Sequence, residues 1–174
     1  MDKKEGTNAE WKDGFAPFIN SDSKILILGS FPSVKSREVG FYYGNPQNRF
    51  WKTVALAVND RVPVSTEEKK DFLVKHRIAL WDVLEKSSID GSSDVNLTFK
   101  TSKPADLKEV IESAEGLELI ICNGKKAFEI FNDVYSDCPV RSVCLSSTSP
   151  ANPRFDRTAW ILTIKSVLGL NLTE

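Results

Sequence analysis

Three stretches of this chain concentrate side chains that could do chemistry. The first, GSFPSVKSREVGFYYGNPQNRFW (29–51), sets Phe41, Tyr42 and Tyr43 beside Asn45, Gln47 and Asn48. Flat aromatics next to amides meet the needs of a nucleobase pocket, a π-face for stacking and donor–acceptor pairs for a base edge. The same rings would serve equally well to plug the domain's own core. The second stretch, CNGKKAF (122–128), sets Asn123 just ahead of Lys125 and Lys126. Asn is a favoured helix N-cap, so Asn123 reads either as a structural cap or as a functional amide. A helix N-terminus followed by two lysines also favours nearby negative charge. The third, SSTSPANPRF (146–155), gathers Ser146, Ser147, Thr148 and Ser149 ahead of Pro150, with Asn152 and Arg154 after it. Small hydroxyl residues let a backbone approach a phosphate closely with N–H and O–H donors aimed at it; the alternative is a polar turn leading into the last helix.

Other chemistries find little support. The single histidine, His76, lies in DFLVKHRIAL and reads as a helix-end residue, and there is no GxSxG elbow, so a histidine-based triad is not expected. Cys122, Cys138 and Cys144 are an odd set without a CxxC pair. They read as reduced thiols rather than metal ligands or disulfides, with Cys122 and Cys144 in apolar runs expected to be buried strands.

The elements that must position these residues alternate. KILILG (24–29) is a continuous apolar run ending in Gly, as expected of a buried parallel strand. IALWDVL (78–84), LELIICNG (117–124) and VRSVCL (140–145) read as three more. Between them lie helical patterns: Phe50, Val54 and Val58 after Asn48, and a capping box of Ser65 with Glu68 opening a helix to about His76. Another helix is expected from Pro104, one from Lys125 to Tyr135, and a last one from about Thr158 to Gly169. Strands alternating with helices imply a mainly parallel sheet covered on both faces. Such sheets bind ligands at the carboxyl ends of their strands, and all three stretches above follow a predicted strand.

Length and composition fit this frame. With 174 residues, 41% hydrophobic and 27% charged, the chain suits one domain with a substantial core. No apolar run approaches the roughly 18 residues of a membrane span, and the polar start MDKKEGTNAEWKDG does not resemble a signal peptide. An intracellular protein is expected, cytoplasmic and of bacterial or archaeal type. The net charge of −1 gives no general attraction to nucleic acid. The local balance differs: over 29–51, 122–127 and 146–157, Lys35, Arg37, Arg49, Lys125, Lys126, Arg154 and Arg157 stand against only Glu38 and Asp156. The first dozen residues and SSIDGSSD (87–94) read as the mobile parts.

Gly29-Ser30-Phe31-Pro32-Ser33, followed by Tyr42-Tyr43-Gly44-Asn45-Pro46-Gln47-Asn48-Arg49-Phe50-Trp51, resembles the first motif region of the uracil-DNA glycosylase superfamily. It is most similar to the hypoxanthine-DNA glycosylase branch. Ser147-Thr148-Ser149-Pro150-Ala151-Asn152 resembles that branch's second motif, and the order of elements matches across residues 16–170. Phe31 departs from the Asn found at that position in mismatch-specific uracil glycosylases, while Ser146 and Asn45 stand where Pro and His are expected in relatives.

The resemblance implies a three-layer α/β/α sandwich around a mainly parallel four-stranded sheet. All of 1–174 would be one glycosylase domain, with 1–14 a mobile extension. It implies a monofunctional, monomeric enzyme that hydrolyses the N-glycosidic bond of deoxyinosine and leaves an abasic site, without a metal or cofactor. The partner is damaged DNA, double-stranded or single-stranded. Asn48 and Asn123 are the catalytic candidates, one for the water or sugar and the other for the base, with Asp82 as a further candidate for activating water. Ser30, Phe31, Phe41, Tyr43 and Asn45 would form the base pocket, with stacking on Tyr43 or Phe41. Ser33, Lys35, Ser36, Lys125, Ser147, Thr148, Ser149 and Arg154 would contact the DNA backbone. Pro150, Ala151 and Asn152 would fill the gap the base leaves. Two other readings stay open: a uracil or mismatch-uracil glycosylase, and a non-catalytic nucleic-acid-binding domain of the same fold.

Overall fold

A computed structural model describes residues 10–88 and 102–173. In chain order the elements are β1 (Lys12–Asp13), β2 (Ile25–Gly29), α1 (Val34–Val39), α2 (Phe50–Ala57), α3 (Thr66–Lys75), β3 (Ile78–Asp82) and β4 (Leu84–Ser87). They continue with β5 (Ser102–Pro104), α4 (Leu107–Glu112), β6 (Leu119–Asn123), α5 (Lys125–Val134), β7 (Ser142–Leu145) and α6 (Arg157–Leu168).

The four expected strands form one parallel sheet in the order β3-β2-β6-β7. Every residue of β2, β3 and β6 is buried. Side chains alternate between the faces of a strand, so burial of all of them requires cover on both sides. The cover comes from α2 packed on α6, from α5 against β6 and β7, and from α3 against β3. This is the layered α/β architecture that the alternation of elements implies.

The edges correct two expectations. VRSVCL reads as buried, yet nothing pairs with the outer side of β7 among the described residues, and Cys144 is exposed. The opposite edge, β3, is closed by the chain's start: Phe18 and Leu80 exchange two antiparallel backbone bonds of 2.9 Å, which blunts an otherwise free ladder. The domain also begins before residue 14. Lys12 and Asp13 pair with Ser87 and Lys86, and the Gly14 N–H donates to the Glu85 carbonyl at 2.7 Å. A Cβ at position 14 would lie 3.2 Å from that carbonyl oxygen, so glycine permits the approach.

Those pairs belong to a small antiparallel sheet, β1-β4-β5, invisible to periodicity because its strands are two to four residues long. Pro104, expected to open a helix, is instead the last residue of β5 and pairs with Leu84. Helix α4 starts at Leu107, where Asp106 accepts the Glu109 N–H as its N-cap. Within SSIDGSSD, Ser87 ends β4 and is buried, and residues from 89 onward lie outside those described. The Ser65–Glu68 capping box forms with a variation: the Ser65 hydroxyl accepts the Glu68 N–H, while the Glu68 carboxylate reaches the Val64 N–H at 2.8 Å. His76 ends α3 as expected and bonds Asp60 at 2.8 Å.

Candidate functional site

The carboxyl ends of β2, β3 and β6 and the loops after β2 and β7 converge on one cavity of about 170 Å³. Pockets for drug-sized ligands run to roughly 300–1,000 Å³, so this one suits a single flat ring system.

Its floor is built from a register. Gly29 ends β2 directly opposite Asp82, the last residue of β3. A Cβ at position 29 would stand 2.5 Å from Asp82 Oδ1 and 3.4 Å from Tyr43 Oη. Only glycine lets the buried carboxylate lie across the strand end. Tyr43 reaches this floor through a left-handed backbone, φ +52°, an uncommon conformation for a bulky residue and one that clusters at functional sites. One face of its ring stacks on Phe50 at 4.0 Å and 21°. Tyr42 also lines the cavity, its hydroxyl donating to the Ala16 carbonyl at 2.7 Å. Burial, helped by the Asp82 carboxylate and Tyr43, holds the Tyr42 phenol far above its ordinary range. Tyr42 is therefore a neutral donor rather than a proton shuttle.

The amides are oriented by the backbone. Asn48 Oδ1 accepts the Phe50 N–H at 2.9 Å at the start of α2, leaving Nδ2 as the donor end of a side chain that lines the cavity. Asn45 Oδ1 accepts the Gln47 N–H at 2.9 Å and shapes the turn before it. Asn123 does not cap α5: the N-cap is Gly124, at φ +98°. Instead the Asn123 amide crosses to the loop after β7, donating to Thr148 Oγ1 and accepting the Thr148 N–H, both at 2.9 Å. Gly124 is needed here too, since a Cβ would fall 3.2 Å from that of Ser147.

Arg49, for which the sequence gives no role beyond local charge, ties the first motif to the second. Its N–H and Nε donate to the Thr148 carbonyl, and Nη2 donates to the carbonyls of Ser149 and Asn152. Its guanidinium lies 4.4 Å from the Phe155 ring centre. The loop is further knotted on itself. Ser147 Oγ accepts the Ser149 N–H, Ser149 Oγ accepts the Ala151 N–H, and Asn152 Nδ2 donates to the Ser147 carbonyl.

Most of the predicted residues meet at this place. Asn48, Asn123, Asp82, Ser30, Phe31, Tyr43, Asn45, Ser33, Ser36, Ser147, Thr148, Ser149 and Pro150 all line the cavity. Three assignments change. Phe41 is 6% exposed and packs against Phe18, Tyr42 and Trp51, so it is core and not a base platform. Thr148 is 1% exposed, with hydroxyl and N–H both held by Asn123, so it struts the loop rather than gripping a phosphate. Ser36 is likewise buried, its hydroxyl accepting from Ser33 Oγ and the Gly44 N–H at 3.0 Å.

Lys35, Lys125, Ala151, Asn152 and Arg154 stand outside the cavity. Lys35 pairs with Glu38 at 3.3 Å, while Lys125, Ala151 and Arg154 are exposed. Sequence reasoning missed Phe15. It lines the cavity from the segment ahead of β2, where no motif marks it.

A family model described as the uracil DNA glycosylase superfamily matches residues 16–165. A Methanosarcina acetivorans protein named hypoxanthine DNA glycosylase is 37% identical over 148 residues, covering 84% of this chain and 91% of its own length. A Methanosarcina barkeri protein of the same name is 31% identical over 144 residues, covering 82% and 89%. Among solved structures, the solution NMR structure of a Methanosarcina acetivorans protein described as a uracil DNA glycosylase superposes with a TM-score of 0.79. It is 33% identical and covers 91% of this chain and 99% of the other.

Proposed function

Since the chain belongs to the uracil DNA glycosylase superfamily, we propose that it is a DNA-repair glycosylase that hydrolyses the N-glycosidic bond of a deaminated base, hypoxanthine in deoxyinosine. The relatives named for hypoxanthine favour that base. The observation that carries the reading is the cavity at the strand ends, where Asp82, the amides of Asn48 and Asn123, and the rings of Phe31 and Tyr43 border one base-sized space.

A base inside a duplex cannot enter such a cavity, so the nucleotide flips out at a cost of a few kcal/mol. Stacking on Tyr43 or Phe31 recovers roughly 1–3 kcal/mol of it. Water then attacks C1′ as the C1′–N9 bond breaks. The sugar passes through a cationic state, and the base leaves with the electron pair and takes up a proton. Donors aimed at the departing base are worth more in that transition state than in the ground state. Asn48 Nδ2, with its oxygen already engaged by the Phe50 N–H, is the candidate donor. Asn123 keeps one N–H of Nδ2 beyond the one given to Thr148. Asp82 is the carboxylate of the cavity and the candidate for orienting water. Ser147 and Ser149 would face the flanking phosphate, with exposed Pro150 and Ala151 at the gap.

The test is a panel of labelled oligonucleotides carrying inosine, uracil, xanthine or 1,N6-ethenoadenine, single-stranded and duplex, incubated in EDTA. Alkali-labile sites at inosine are expected. Scission without alkali would indicate a lyase, and loss of activity in EDTA would sink the metal-free hydrolysis. Cleavage at uracil but not inosine would favour the activity in the name of the NMR neighbour.

A further inference from the structure

We propose that Phe15 is a specificity-determining residue that meets the far ring of a purine and favours a two-ring base over a one-ring base; this rests on the glycosylase reading above. Phe15 lies one residue outside the stretch matched by the family model, yet it lines the cavity together with Phe31, Tyr42 and Asp82. It is held firmly there. Its carbonyl accepts Trp81 Nε1–H at 3.0 Å, and its ring meets that of Tyr42 edge-on at 5.1 Å. The flanking residues are pinned as well, Gly14 through the Glu85 carbonyl and Ala16 through the Tyr42 hydroxyl.

The sheet order decides which part of a base reaches it. Phe15 runs beside β3, whereas the Ser147–Pro150 loop follows β7, at the other end of β3-β2-β6-β7. The two edges are three inter-strand spacings apart, about 14 Å. Of the residues lining the cavity, the exposed one, Pro150, belongs to the β7 loop. The sugar and phosphates therefore approach from the β6–β7 side, and the base extends from its glycosidic nitrogen toward β3. The end that reaches Phe15 is the end most distant from that nitrogen. In a purine this is the six-membered ring with its exocyclic oxygen. A pyrimidine, one ring shorter, stops before it. Removing the Phe15 ring should therefore weaken capture of hypoxanthine and leave uracil almost untouched.

The experiment compares wild type, Phe15→Ala and Phe15→Leu in single-turnover cleavage of matched inosine and uracil duplexes, with inhibition by free hypoxanthine and free uracil in parallel. Phe15→Leu keeps an apolar plug for the fold but loses the flat ring, and thermal unfolding reports whether each variant is native. Both variants should lose roughly 5- to 100-fold on inosine, the range for one base–aromatic contact. Free hypoxanthine should inhibit them more weakly by a similar factor. Uracil cleavage and inhibition should change less than about twofold, within the scatter of a lost non-contact. Equal losses on the two bases, or an unchanged inosine rate in a folded Phe15→Leu protein, would overturn the assignment of Phe15 alone. A wild-type protein that cuts neither duplex would instead overturn the glycosylase reading, and this inference with it.

Discussion

Replacing Asn123 by Ala separates two roles that the sequence leaves entangled. The amide makes two hydrogen bonds of 2.9 Å to Thr148, one through the hydroxyl and one through the backbone N–H, in a site where both residues are buried. Losing the bond to the hydroxyl at about 1 kcal/mol, with the orphaned buried Thr148 N–H costing about 1–3 kcal/mol, gives a loss of about 2–4 kcal/mol. For a domain of this size that is a fall in Tm of roughly 5–15 °C. A simple N-cap would cost about 1 kcal/mol. Thr148→Val removes only the hydroxyl partner and should cost about half as much, while the double variant should be no less stable than Asn123→Ala by more than a few tenths of a kcal/mol. The expected coupling lies within the 0.5–3 kcal/mol seen for residues in contact. Thermal unfolding of the four proteins measures it. Single-turnover inosine cleavage then reads the catalytic part: Asn123→Ala should slow it by on the order of a hundredfold, the scale for one transition-state donor, and Thr148→Val by much less. Additive losses of stability would refute the strut. Equal slowing by the two variants would refute a direct action of Asn123 on the base.

Asn48→Asp should retain the acceptor for the Phe50 N–H and lose the Nδ2 donor, so cleavage should fall by about a hundredfold with Tm nearly unchanged; normal cleavage would exclude Asn48 as the donor. The Asp60 carboxyl is held well below the ordinary range, first by its hydrogen bond to Lys75 and then by those to His76 and the Arg61 N–H. A depressed carboxylate contributes stability above its unfolded pKa of about 3.9, and that contribution fades as pH falls toward the folded value. Urea titrations should therefore show Asp60→Asn less stable than wild type at pH 7, with the gap narrowing below about pH 4; a constant gap would refute the linkage. DNA affinity should depend weakly on salt, with a slope of log affinity against log salt of about −2 to −4. Arg49 is engaged with loop carbonyls and Lys35 with Glu38, and Arg154→Ala should flatten the slope by about one. A steep slope would show that cations elsewhere carry the binding.

The candidate site was partly legible because its parts announce themselves locally. Unbroken apolar runs mark β2, β3 and β6, and the turn chemistry of Pro32, Gly44 and Pro46 marks the loop after β2. Ligands gather at strand ends in parallel sheets, so the stretches after those strands could be singled out before any contact was known. What failed was the orientation of individual side chains within them. Phe41 and Tyr43 are two residues apart in one loop, yet one fills the core and the other borders the cavity. The left-handed turn at Tyr43 redirects the chain between them, and no propensity foretells a strained φ at a tyrosine.

By itself the sequence determined the alternating α/β order, the strand runs, the Ser65 cap, the stop of α6 at Gly169 and the clustering of amides, hydroxyls and aromatics after the strands. These are short-range properties, set by periodicity and by the φ/ψ preferences of single residues. The tertiary structure alone decided that Asn123 braces Thr148, 25 residues away. It also decided that Arg49 binds carbonyls about 100 residues on, and that Phe15 closes the cavity from the β3 edge. Each of these partners is chosen by the order in which the strands pair. That order is fixed by burying the whole apolar sheet at once, a global free energy that no local stretch of residues encodes.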